Sequence, residues 1–188
     1  MAAPLTVVKI GGSLLTDRLR LRALLTALAE GKEGRCVIVP GGGPFAEAVR
    51  VSQAAAGFDD ALAHRLALDA MGRMAEVFAA IEPRLSIART VEACGAGAIW
   101  DPVALRIGHP DIAETWAVTS DSLSLWLATT LLADRCILEK SIDRPAGASN
   151  ADLARLGLVD AAFPGFADAY PGTIIIRGPS FADKRAAA

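Results

Sequence analysis

The chain has 188 residues, of which 53% are hydrophobic and 21% charged, with a formal net charge of -2. It is too apolar for a disordered segment, and it carries no excess of positive charge to hold nucleic acid. Its three cysteines, Cys36, Cys94 and Cys136, form no CxxC pair, which argues against a disulfide framework or a zinc site.

The length suits one domain with a full core, and no break in composition marks a second, so residues 1–188 read as a single domain. Residues 5–10 form a first apolar run, read as a buried strand and broken by Gly11-Gly12-Ser13. Residues 18–30 place leucines at helical spacing, with Asp17 as N-cap and Gly31 as stop. A second strand, 36–39, ends at Pro40. Gly41-Gly42-Gly43 follows, and Pro44 suits the first turn of a helix reaching about residue 56. Asp59-Asp60 opens a longer helix to about residue 81, closed by Pro83. Residues 85–109 read as a short helix with one or two short strands. Residues 115–118 read as a strand, 122–132 as an apolar helix reached through Ser120-Asp121, and 136–139 as another strand. A loop at 141–149 leads to a short helix capped by Asn150. A final strand spans 172–177, followed by a frayed Ala-rich tail. Strands and helices alternate, which predicts an α/β, three-layer αβα sandwich with a mainly parallel central sheet. No charged leader precedes an apolar segment, and the charge-free stretch 122–133 is too short to span a bilayer. The expectation is a cytoplasmic protein with no membrane and no nucleic-acid partner.

Two strands thus end in glycine turns that lead into helices. Glycine lets backbone N–H groups approach phosphate oxygens, and ligands of α/β sheets collect beyond the carboxyl ends of strands. Lys9 sits two residues before Gly11 and interrupts an apolar run. It is either a cation aimed at phosphates or a strand-end lysine reaching for water. GxxxxGK[ST] is absent. Residues 41–46 satisfy GxGxxG/A, but the acidic pair at 59–60 opens a helix where a dinucleotide fold needs the end of a strand.

In this order the pieces resemble the amino-acid kinase superfamily of acetylglutamate, aspartate and uridylate kinases. Lys9-Ile10-Gly11-Gly12-Ser13 is similar to its opening KxGGS motif, and Val39-Pro40-Gly41-Gly42-Gly43 to its GGG loop. Residues 118–124 resemble its D-x-L-A segment and 138–143 its nucleotide-side turn. The resemblance implies an ATP- and Mg2+-dependent kinase. Lys9, Asp121 and Lys140 would be catalytic. Gly11, Gly12, Ser13, Ser141 and Asp143 would bind nucleotide or phosphate. Gly41, Gly42, Gly43, Thr119 and Ser120 would take the acceptor, with no metal-binding side chains assigned. It further implies a small anionic substrate and a homo-oligomer. The chain departs from the family in lacking a late GGMxxK-type lysine, so Lys140 is either the second catalytic lysine or a solvated loop residue. Asp143 is followed by Arg144-Pro145 where a glycine is usual. Among short members, residues 151–160 and 172–178 look similar to the kinases that convert (aminomethyl)furanmethyl phosphate to its diphosphate in methanofuran biosynthesis. The alternatives left open are a non-catalytic nucleotide- or oxyanion-binding protein on the same fold, and dinucleotide binding at 41–46.

Overall fold

The computed structural model describes residues 4–181. Six strands form one sheet: β1 Leu5–Ile10, β2 Arg35–Pro40, β3 Ser86–Ala88, β4 Ala98–Trp100, β5 Arg135–Glu139 and β6 Thr173–Arg177. Their order is β3-β4-β2-β1-β5-β6, and every pairing is parallel. The helices are α1 Arg18–Ala29, α2 Gly43–Ala56, α3 Asp60–Ile81, α4 Ser120–Thr130, α5 Asn150–Arg155 and α6 Phe163–Ala169. Short 3-10 turns occupy Gly12–Thr16 and Pro102–Ile107.

Strand side chains alternate between faces, and this divides the core in two. Val7, Val37, Val39, Cys136 and Leu138 pack with α4, α5 and α6 on one side. Val8, Ile10, Cys36, Ile38 and Ile137 pack on the other with α1 and the second half of α3, through Leu21, Leu25, Met74 and Phe78. The expected three-layer αβα sandwich is therefore present. The strand order reverses around β1, whose neighbours are β2 and β5. This leaves a crevice beyond the carboxyl ends of those three strands.

Most helix starts follow the residues. Asp17 accepts from the Arg20 N–H at 3.1 Å and Asp59 from the Leu62 N–H at 2.8 Å. At α5 the cap is Ser149 rather than Asn150, because Ser149 and Asp152 form a reciprocal capping box. Helix α4 begins two residues earlier than the apolar pattern indicates, which brings Asp121 into its first turn. Within 85–109 the chain forms β3, β4 and a 3-10 turn, in line with the expected short pieces.

Two readings are corrected. Residues 115–118 are not a strand. The Val118 N–H donates to Thr115 O and the Ala117 N–H to Thr115 Oγ1, so the backbone is spent in a turn and joins no sheet. A four-residue apolar run cannot by itself tell a strand from a turn with one buried side chain. Helix α6 was not anticipated. Pro164 stands in its first turn, and Phe163 and Ala167 lie four apart on its buried side, a signal obscured by Gly165 and the helix's short length. The frayed tail falls outside the described residues.

Candidate active site

Lys9 lies on the same face of β1 as Val7, against α4, where its Nζ is 2.8 Å from Asp121 Oδ1. Lys140, one residue beyond β5, reaches the same carboxylate. Its Nζ is 2.8 Å from Oδ1 and 2.7 Å from Oδ2. All three residues are buried. One carboxylate thus holds two ammonium groups, at the first turn of an eleven-residue helix. Burial pushes the Asp121 carboxyl up, but the fields of Lys9 and Lys140 outweigh it and hold the carboxyl below its ordinary value. Burial, and then the like charge of Lys9, lower the Lys140 ammonium to about 8 against the pull of Asp121. Lys9 therefore does not reach for water, and Lys140 is not a solvated loop residue.

The first glycine turn crosses directly onto the second. The Gly41 N–H donates to Ile10 O at 2.8 Å. A Cβ on Gly12 would lie 2.3 Å from Gly43 Cα, and one on Gly41 would lie 2.6 Å from the Gly12 nitrogen. Only glycine permits this approach. The Gly11 N–H is committed to Glu139 O at 3.1 Å and so is spent within the fold.

Two joined cavities meet at these turns. One, of 490 Å³, is walled by Gly41, Gly42 and Gly43, by α2 and α3, and by Thr119, Ser120 and Leu123. The other, of 360 Å³, contains Lys9, Gly11, Asp121, Lys140, Ser141 and Asp160. Gly12, Ser13, Arg50, Trp116 and Thr119 border both. Ser13 Oγ donates to Ser141 Oγ at 3.1 Å, tying the glycine turn to the loop after β5. Of the residues implicated by sequence, Asp143 alone lies outside both cavities. Its carboxylate accepts from the N–H and hydroxyl of Ser180 and so holds the loop to the segment after β6.

Asp160 was missed by the sequence reading. It accepts from the Thr119 N–H at 2.9 Å, Thr119 Oγ1 at 2.8 Å, the Ser122 N–H at 3.0 Å and the Ser122 hydroxyl, and so caps α4 from the α5–α6 loop. Burial raises its carboxyl, the Ser122 hydrogen bonds oppose this, and neighbouring Asp121 adds to it. Arg50, which borders both cavities, was missed as well. Among the described residues no group of three or more His, Cys, Asp and Glu side chains is placed to hold a metal ion. No described helix is long and apolar enough to cross a membrane.

Comparison with known proteins agrees with this architecture. Residues 4–99 match the amino acid kinase family. Over 144 residues the chain is 36% identical to the (5-(aminomethyl)furan-3-yl)methyl phosphate kinase of Methanocaldococcus jannaschii, an alignment that covers 73% of this chain and 66% of that kinase, just under two thirds of its length. Among solved structures, uridylate kinase from Archaeoglobus fulgidus superposes with a TM-score of 0.66 at 14% identity, covering 96% of this chain and 94% of that one. UMP kinase from Bacillus anthracis gives 0.67 at 15%, covering 95% and 90%. At such identities the structural likeness speaks for the fold, and the sequence match speaks for kinship. The GxGxxG/A reading of 41–46 fails, since α2 runs into α3 with no strand between them. With glycine turns, parallel sheet and sequence match in agreement, the chain belongs to the amino acid kinase family.

Proposed function

We propose that this protein is a kinase that moves the γ-phosphoryl group of ATP onto a phosphate monoester, (5-(aminomethyl)furan-3-yl)methyl phosphate or a near analogue, to give a diphosphate. The observation that carries this reading is the pair of ammonium groups on Asp121 in the smaller of the two joined cavities. Phosphoryl transfer asks chiefly for positioning and charge neutralisation. An oxygen of the acceptor phosphate attacks the γ-phosphorus. The bond from that phosphorus to the β–γ bridging oxygen breaks, and ADP leaves with the electron pair. The acceptor is already largely ionised near neutral pH, so no general base is required. Lys9 and Lys140 offset charge on the group in flight, Gly12 and Ser13 donate to nucleotide phosphates, and Asp121 fixes both lysines. Mg2+ would add further neutralisation. It would be held mainly by the phosphates and water, the mode this cation favours, because the Asp121 oxygens already face lysines.

The non-catalytic alternative drew its strength from the missing second lysine, and Lys140 at Asp121 weakens it. The primary test is incubation with ATP, Mg2+ and a panel of phosphate monoesters, followed by phosphorus NMR. Diphosphate formation on the furanmethyl phosphate is expected, and ATP binding without transfer to any phosphate monoester overturns the reading. Action in the cytoplasm and self-association belong to the same proposal, and a light-scattering mass tests the second.

A further inference from the structure

Under the kinase reading the 490 Å³ cavity is the acceptor cavity, and among the described residues only two in its wall are charged, Glu47 and Arg50. Both stand on α2, three residues apart, with Arg50 Nη1 3.4 Å from Glu47 Oε2. Their side chains are 49% and 66% exposed, for Arg50 and Glu47 respectively. An ion pair so open to water is weak and exchanges readily for the charges of a ligand.

The two residues are not equivalent in place. Arg50 also borders the 360 Å³ cavity that holds Lys9 and Lys140, and its guanidinium lies 4.3 Å from the centroid of the Trp116 ring. That ring is fixed in turn by its Nε1–H, which donates to Gln53 at 2.6 Å. Glu47 borders the acceptor cavity alone. A ligand extending outward from Lys9 and Lys140 therefore meets a cation first and an anion second. The same cavity is also lined by the apolar side chains of Leu68 and Met71 on α3 and Leu123 on α4.

We propose that this order selects a zwitterionic acceptor, a phosphate monoester on a small ring that carries an ammonium group at its far end. Arg50 receives the phosphate and Glu47 the ammonium. The inference rests on the kinase reading above and deepens it by assigning acceptor selectivity to two residues of α2. A carboxylate in this position rejects doubly anionic acceptors and rewards amines. Glu47 is thus a specificity residue and takes no part in the chemical step.

The test compares (5-(aminomethyl)furan-3-yl)methyl phosphate with its (5-methylfuran-3-yl)methyl analogue, both as substrates with ATP and Mg2+ and as ligands by calorimetry. The unaltered protein is expected to favour the amine about tenfold, the scale of one charge-assisted hydrogen bond. Glu47→Gln is expected to reduce that ratio to about twofold or less, and Glu47→Asp to restore part of it. Arg50→Gln is expected to weaken both ligands about tenfold while leaving their ratio intact. Equal treatment of the two compounds by the unaltered protein, or a preference that survives Glu47→Gln, overturns the inference. If neither compound is phosphorylated while calorimetry still records an amine preference that depends on Glu47, the kinase reading falls and the charge selection stands.

Discussion

Two buried ion clusters lie back to back across the carboxyl ends of β1 and β5, and they are built for opposite purposes. On the α4 face stand Lys9, Lys140 and, at the cavity rim, Arg50, against Asp121 and Asp160. On the α1 face, Glu139 lies between Arg20 at 3.1 Å and Arg177 at 3.5 Å, and Arg177 also reaches Glu33 at 2.8 Å. The second cluster is balanced and opens onto neither cavity. In the first, two ammonium groups share the single carboxylate of Asp121, one positive charge more than it can offset, and the cluster opens onto the cavity beside them. A surplus of charge held in place marks a surface waiting for an anion, whereas a balanced set marks an internal brace. The brace still serves the site. Arg20 Nη1 donates to Lys140 O at 2.8 Å, and the Lys140 N–H donates to Arg177 O at 2.8 Å, so the backbone of a candidate catalytic lysine is anchored from behind.

The largest expected effect breaks the brace. Glu139→Ala leaves Arg20 buried without its carboxylate and is expected to cost about 3 kcal/mol of stability, read by denaturant unfolding. A loss below about 1 kcal/mol would show that the cluster is not a brace. Next, Lys9→Met is expected to lower kcat at least about a hundredfold, close to 2.7 kcal/mol of barrier. Its unfolding midpoint should hold or rise, because one of two like charges sharing a carboxylate is removed. An unchanged rate removes Lys9 from the mechanism, and a large loss of stability erases the contrast between the two faces.

The finest test is pH. Under the proposed function Lys140 acts as an ammonium, and its value is lowered from 10.5 to about 8, so kcat/KM should fall as pH rises through about 8. Lys9→Met removes a repelling neighbour and should move that limb to higher pH in the residual activity. The linkage runs the other way for stability. Between about 8 and 10.5 the unfolded chain binds the proton that the folded chain has lost, so this group adds stability as pH rises through that window. A flat rate profile from pH 7 to 9 would remove Lys140 from the chemistry.

How much of this was legible follows from the kind of signal each residue gives. Lys9 was readable because a strand alternates, and a lysine amid Val8 and Ile10 must face a different layer from both. The glycine turns were readable because few backbones need three glycines in a row. The role of Lys140 stayed open because nothing local says which way a residue just past a strand will turn. That was decided by α4, which starts early enough to set Asp121 beneath it. Asp160 is silent in sequence, since its contact with Thr119 and Ser122 spans about forty residues and depends on how α5 and α6 fold back. Arg50 and Glu47 look like any surface pair on a helix until the cavity beside them is seen. The turn at 115–118 misled for the same reason, since Trp116 owes its place to Gln53 and Arg50 rather than to a sheet neighbour.

The crossing of Gly12 over Gly41 and Gly43 fixes the spacing of the two glycine turns. Under the proposed function, the span between donor and acceptor is fixed by bare main chain, whose bond lengths no substitution alters, and any side chain at position 12 would push the two halves apart. The lining of the acceptor chamber is free to drift, residue by residue, without changing the gap that must be crossed. On that proposal, exchanging Glu47 changes which acceptor is preferred and leaves the working distance as it is.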